Sequence, residues 1–76
     1  MNTLRPCDAE ARDGTRLGGC VKLYIPQPDG RWGAVFNIDI QADKPALVLL
    51  AVGERHPAQP WQRSVYEIAH RRLHRQ

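Results

Sequence analysis

Apolar and polar positions alternate from Cys20 to Ile25, with Val21, Leu23 and Ile25 on one side and Lys22 and Tyr24 on the other. That period of two predicts a half-buried strand. Pro26-Gln27-Pro28-Asp29-Gly30 stops it, because proline has no ladder donor and Asp-Gly supplies a tight turn, so a hairpin is expected. Alternation resumes from Trp32 to Ile40, where Trp32, Ala34, Phe36, Ile38 and Ile40 share one side. Val35 interrupts the other side, which implies that both faces are partly covered. Gln41-Ala42-Asp43-Lys44-Pro45 is a second turn, and Ala46–Val52 is apolar on both sides, the pattern of a central strand. Gly53–Trp61, with Pro57 and Pro60, is expected to be a loop. Ser64-Val65-Tyr66-Glu67 then fits a capping box, with Ser64 as N-cap and Glu67 at N3. The helix it opens should run from about Val65 to Arg75. Val65, Ile68, Ala69, Arg72 and Leu73 form its inner stripe, and Tyr66, His70 and His74 a second one.

The first eighteen residues carry no sustained period. Asp13-Gly14 and Gly18-Gly19 are turn signals, so residues 1–18 are expected to form an irregular arm with one short helical turn around Asp8 to Arg12. The predicted fold is α+β: a three-stranded antiparallel meander with a C-terminal helix, in a single domain over 1–76 whose core is 19–76. One helix covers one face of such a sheet. The other face carries apolar residues with no cover of their own.

Length and composition narrow the class. Seventy-six residues make one domain, and a chain of that size buries roughly 60% of its unfolded surface, which leaves a thin stability margin. Apolar residues at 42% and charged residues at 25% indicate a globular chain, not a disordered one. The longest apolar run, Ala46–Val52, is far short of the ~20 residues a membrane helix needs, and no secretory signal opens the chain. The expectation is a soluble cytoplasmic domain that does not act on membranes. Cys7 and Cys20 form no CxxC, and their spacing with His70 and His74 is wrong for a zinc finger. Neither a metal nor another cofactor is therefore expected.

Charge gives the first functional clue. Residues 1–52 balance Arg5, Arg12, Arg16, Lys22, Arg31 and Lys44 against Asp8, Glu10, Asp13, Asp29, Asp39 and Asp43. The formal charge of +3 therefore resides in residues 53–76, where Arg55, Arg63, Arg71, Arg72 and Arg75 face only Glu54 and Glu67. All three histidines lie there as well. An arginine-rich end interleaved with Trp61 and Tyr66 suits a polyanion such as RNA, and equally suits a solvated helix face.

Four segments in order carry a resemblance. Gly19-Cys20-Val21-Lys22-Leu23-Tyr24, Arg31-Trp32-Gly33-Ala34-Val35-Phe36, Val52-Gly53-Glu54-Arg55, and Val65-Tyr66-Glu67-Ile68-Ala69 with Arg72-Leu73 resemble the C-terminal portion of the RelE/ParE toxin superfamily. Its members typically carry G-C/Y-x-K-L, R-x-R-I-V-Y, V-G-x-R and V-Y-x-x-A-x-x-R-L on successive strands and the last helix. The match runs from about Leu17 to Leu73. The family's N-terminal strand and helical hairpin have no counterpart in the residues before it, so the expected architecture is a truncated RelE-like one. Two positions depart from the pattern: Gly33 stands where the family has its second arginine, and Phe36 where it has tyrosine.

The resemblance implies the toxin of a type II toxin–antitoxin pair. RelE-like members are metal-free endoribonucleases that cut ribosome-bound mRNA, so RNA, the ribosome and a cognate antitoxin protein are the implied partners. Such cleavage needs a base on the 2′-OH, a cation on the phosphorane and an acid for the leaving 5′-oxygen. Lys22, Arg31, Arg55 and Tyr66 are the catalytic candidates, with Arg suited to a two-bond phosphate clamp. Trp61, Arg63, His70 and Arg71 are the RNA-binding candidates, through stacking and charge. Each also has an ordinary role open to it. Lys22 and Arg31 fit the polar face of a hairpin, Arg55 a pair with Glu54, Tyr66 packing on the sheet, and the histidines a solvated face. Two further functions stay open: a non-catalytic module that binds itself as a homodimer, or another protein, through the uncovered sheet face, and a ParE-like gyrase inhibitor.

Overall fold

The computed structural model describes residues 4–26, 28–40 and 43–75. Gln27 of the first predicted turn and Gln41 and Ala42 of the second lie outside the described residues. In chain order the elements are β1 (Arg5–Pro6), β2 (Cys20–Ile25), β3 (Trp32–Asp39), β4 (Ala46–Glu54) and α1 (Val65–Leu73). The α+β class holds, but the sheet has four antiparallel strands in the order β1-β2-β3-β4, not three. The additional strand comes from the arm, where Arg5 pairs with Lys22 and Pro6 with Val21. Two residues, one of them proline, carry no periodicity to detect. The helical turn expected at Asp8–Arg12 is replaced by bends and a turn, closed by Ala11 N–H to Thr15 O at 2.9 Å and Gly14 N–H to Ala11 O at 3.0 Å. Gly14 has φ +87°, a conformation that glycine adopts without strain.

Register assigns the faces. Lys22 opposes Val35 and Tyr24 opposes Gly33 across β2–β3, while Val35 opposes Ala51 and Gly33 opposes Gly53 across β3–β4. Directly paired residues share a face, so Cys20, Lys22, Tyr24, Gly33, Val35, Ala51 and Gly53 lie together. α1 packs on this side. Val65 and Ala69 join Leu17, Cys20, Val35 and Ala51 in the buried core, with Cys7, Leu50, Tyr66, Ile68 and Leu73 packed around it. The core is small, and its largest fully buried side chains are two valines. Small side chains let the helix approach closely: a Cβ placed on Gly53 would sit 3.8 Å from that of Val65.

The alternating hydrophobics that announced the strands therefore face away from the helix. Trp32, Ile38, Leu47, Leu49 and Val52 are exposed on this open side, Leu47, Leu49 and Val52 by about half of their surface. β4 is an edge strand, not the central strand that its apolar run suggests. It carries one irregularity: Val35 pairs with Ala51 but Phe36 with Leu49, leaving Leu50 as a bulge whose carbonyl accepts from Arg72 Nη1 at 2.6 Å. α1 begins where the capping box places it. Ser64 Oγ accepts from the Glu67 backbone N–H at 3.1 Å, and the helix ends at Leu73 with His74 as C-cap. Among the described residues no helix is long and apolar enough to cross a membrane.

Candidate functional site

The site forms where β2, the end of β4 and the first turn of α1 converge. Lys22 and Tyr24 alternate on β2 and so point to the same side. Between them and α1 the floor of the sheet is two paired glycines, Gly33 and Gly53. Arg55 leaves β4 and crosses that floor. A Cβ on Gly33 would meet Arg55 Cγ at 3.1 Å and the Leu23 carbonyl oxygen at 3.3 Å. Gly33 has no positive φ, so its value here is the space it leaves, not a special backbone conformation.

Three contacts fix the Arg55 guanidinium. Its Cζ lies 3.8 Å from the centroid of the Tyr24 ring, Nε donates to the Tyr66 hydroxyl at 3.2 Å, and Nη1 donates to the Gly30 carbonyl at 3.1 Å. The Tyr66 hydroxyl, as acceptor, holds Arg55 still more firmly in its charged form. Lys22 Nζ sits 5.5 Å from the Tyr66 centroid and 5.7 Å from that of Tyr24, and Arg5 Cζ approaches Tyr24 to 5.9 Å. Three cations thus surround one tyrosine, at distances where a ring face attracts positive charge. His56 tilts against Tyr66 with centroids 6.3 Å apart.

Lys22, Tyr24, Arg55, His56 and Tyr66 line a cavity of about 450 Å³ whose far wall is the arm, including Cys7, Asp13, Thr15 and Leu17. Asp13 is not free to act as a base. Its Oδ1 accepts from the Thr15 N–H at 3.0 Å and from Thr15 Oγ1 at 2.7 Å, and these bonds hold the carboxyl below its ordinary value. The arm is also tied to α1: His70 Nδ1 accepts from the Arg16 N–H at 2.8 Å, and His74 Nε2 lies 2.9 Å from the Arg16 carbonyl.

Of the four catalytic candidates, Lys22, Arg55 and Tyr66 come together at this cavity and Arg31 does not. Arg31 is drawn back into its own turn, with Nε 2.7 Å from Asp29 Oδ2 and its N–H on Asp29 Oδ1 at 3.1 Å. The RNA-binding candidates lie elsewhere. Arg63, His70 and Arg71 border a second, more open cavity of about 610 Å³ along α1, together with Arg72, His74 and Arg75. Trp61 is 77% exposed in the loop before the helix.

No protein-family model, no curated protein and no solved structure matches this chain. The site therefore rests on its own chemistry. Sequence reasoning missed Tyr24, His56 and the arm residues. The available signal was Tyr24 two residues from Lys22 on one strand, which places an aromatic face beside a cation. Among the described residues no cluster of three or more His, Cys, Asp or Glu side chains is arranged to hold a metal ion.

Proposed function

We propose that this chain is a RelE-like toxin of a type II toxin–antitoxin pair, a metal-free endoribonuclease acting on ribosome-bound mRNA. The observation that carries this reading is the convergence of Lys22, Arg55 and Tyr66, with Tyr24, on one cationic, aromatic-lined cavity. In this reading Arg55 is a fixed positive charge beside the scissile phosphate, since Nε and Nη1 are already committed to Tyr66 and Gly30. Lys22 is the mobile cation that neutralises the phosphorane or draws the 2′-OH proton. The Tyr66 hydroxyl accepts from Arg55, which leaves its O–H to donate to the leaving 5′-oxygen. Tyr24 offers a ring to a nucleobase, and the arginines along α1 offer a second contact to the backbone. Gly33, where the resembled family carries arginine, is filled by the Arg55 side chain folding over it.

The test is primer extension on a defined mRNA in a reconstituted translation system, with wild type, Arg55→Ala and Tyr66→Phe. Cuts confined to the ribosomal A site and lost in both variants are expected. An intact message with folded wild-type protein refutes the reading. The half-exposed Leu47, Leu49 and Val52 favour a second one, a binding module whose open sheet face meets a second copy or an antitoxin.

A further inference from the structure

Cys7 and Cys20 face each other where the arm meets the sheet. The β1–β2 register pairs Arg5 with Lys22 and Pro6 with Val21, so the next position along opposes Cys7 to Cys20. The Cys7 N–H donates to the Cys20 carbonyl at 3.0 Å, while the Cys20 N–H turns to the Leu17 carbonyl at 3.1 Å, so one ladder bond holds the two residues together at the end of the pairing. Directly opposed residues of antiparallel strands have Cα atoms about 4.5–5.5 Å apart and side chains on one face. That separation falls within the roughly 4.4–6.8 Å that a disulfide spans. Both thiols are free, Cys20 is buried in the core, and Cys7 packs against the same cluster while also reaching the cavity wall.

We propose that Cys7 and Cys20 are an oxidation site, forming an intramolecular disulfide with a low-molecular-weight disulfide as oxidant. Cys7, the more accessible thiol, loses its proton and attacks one sulfur of the oxidant, expelling the first small thiolate. Cys20 then loses its proton and attacks Cys7 Sγ, expelling the second. Two protein thiols are oxidised, one S–S bond forms, and the oxidant is reduced to two thiols.

The link would close a ring around residues 8–19, the stretch that contributes Asp13, Thr15 and Leu17 to the cavity wall. The wall would then be held covalently as well as by the contacts of Arg16 with His70 and His74. Burial, chiefly, and the neighbouring Cys20 push the Cys7 thiol up to about 11, and burial raises Cys20 as well. Thiolate is therefore scarce near neutrality, so exchange is slow and quickens with alkali.

The full chain is incubated with excess oxidised glutathione at pH 7, 8 and 9, then examined by intact mass, tryptic mapping and thermal unfolding. Arg12 and Arg16 lie between the two cysteines, so trypsin places them on separate peptides unless a disulfide joins them. The expected product has lost two hydrogens, carries the two peptides joined, melts higher than the reduced chain and reverts with dithiothreitol. Its rate should rise about tenfold per pH unit, following the thiolate fraction. Cys20→Ser should stop at a glutathione adduct on Cys7. Three results overturn the proposal: stable adducts on the wild type, disulfide-linked dimers in place of the internal link, or no reaction at pH 9.

Discussion

Arg55 is the side chain on which the site's geometry turns, and replacing it with methionine isolates its charged end. Methionine keeps an unbranched stem over Gly33 while deleting the guanidinium and its three contacts. A hydrogen bond to a charged donor contributes about 1.5–3 kcal/mol net, and the low end applies here because Arg55 is only half-buried. Water can also reach the orphaned Tyr66 hydroxyl and Gly30 carbonyl from the cavity, which returns part of that loss. The contact with Tyr24 adds about 0.5–1 kcal/mol at a partly exposed site. Together these give a destabilisation of about 2–3 kcal/mol for Arg55→Met. With a urea m-value of about 1 kcal/mol/M for so small a chain, the midpoint should fall by about 2–3 M. Arg55→Lys keeps the charge but not the fork, and should lie about halfway. A double-mutant cycle with Tyr24→Leu should return a coupling of about 0.5–1 kcal/mol. Arg55→Met within ~0.5 kcal/mol of wild type, the range of an ordinary surface substitution, together with zero coupling to Tyr24, would refute the reasoning and make the guanidinium a solvated group.

Four further outcomes are expected. Gly33→Ala should destabilise by about 1 kcal/mol in urea unfolding, because its Cβ crowds Arg55 Cγ and the Leu23 carbonyl. Combined with Arg55→Ala the same change should cost less, since only the Leu23 carbonyl then crowds the added Cβ. Ser64→Ala removes the cap on Glu67 N–H and should cost about 1 kcal/mol in thermal or urea unfolding while leaving the cavity residues in place. For Asp13 the folded carboxyl sits below its ordinary 3.8, so its stabilisation is full above that value and is lost as pH falls through the lower, folded one. The stability gap between wild type and Asp13→Asn should therefore be largest near neutrality and close as the pH drops below 3.8. Sedimentation at micromolar concentration should show wild type heavier than 8.6 kDa, and Leu47→Lys/Leu49→Lys as a monomer of about that mass.

How far this molecule was legible varied with the range of the interactions involved. The capping box named Ser64 and Glu67 correctly because a cap is decided within four residues. β2 keeps its predicted bounds because Pro26 ends it locally. β3 was recognised by its alternation and β4 by its apolar run, and β4 runs on to Glu54 because Trp32 pairs with it across the sheet. Period two separates the faces of a strand without saying which one a helix covers. Here α1 chose the side of Cys20, Val35, Ala51 and the paired glycines, and the more hydrophobic side stayed open. The same long-range choice determined the site. Lys22, Arg55 and Tyr66 were visible as charged or aromatic positions in suggestive places. Their meeting depends on Gly33, which on sequence alone looks like a missing arginine. Arg31 lay outside it because the aspartate two residues earlier captured it, an interaction that sequence distance allows but does not require.

The bulge at Leu50 does more than interrupt a ladder. A strand exposes each residue on one face or the other by parity, and one inserted residue inverts that parity for everything beyond it. Ala51 lies under the helix, so if Leu50 took a regular place in the ladder the count would send Leu49 and Leu47 to the helix side and Val48 outward. With Leu50 bulged out of the ladder, Leu47 and Leu49 join Phe36 and Ile38 on the open side. The surface this domain offers a partner is thus set by how one residue is paired more than by composition. The same hydrophobic residues in the same order, with Leu50 drawn into regular pairing, would show a partner a different surface.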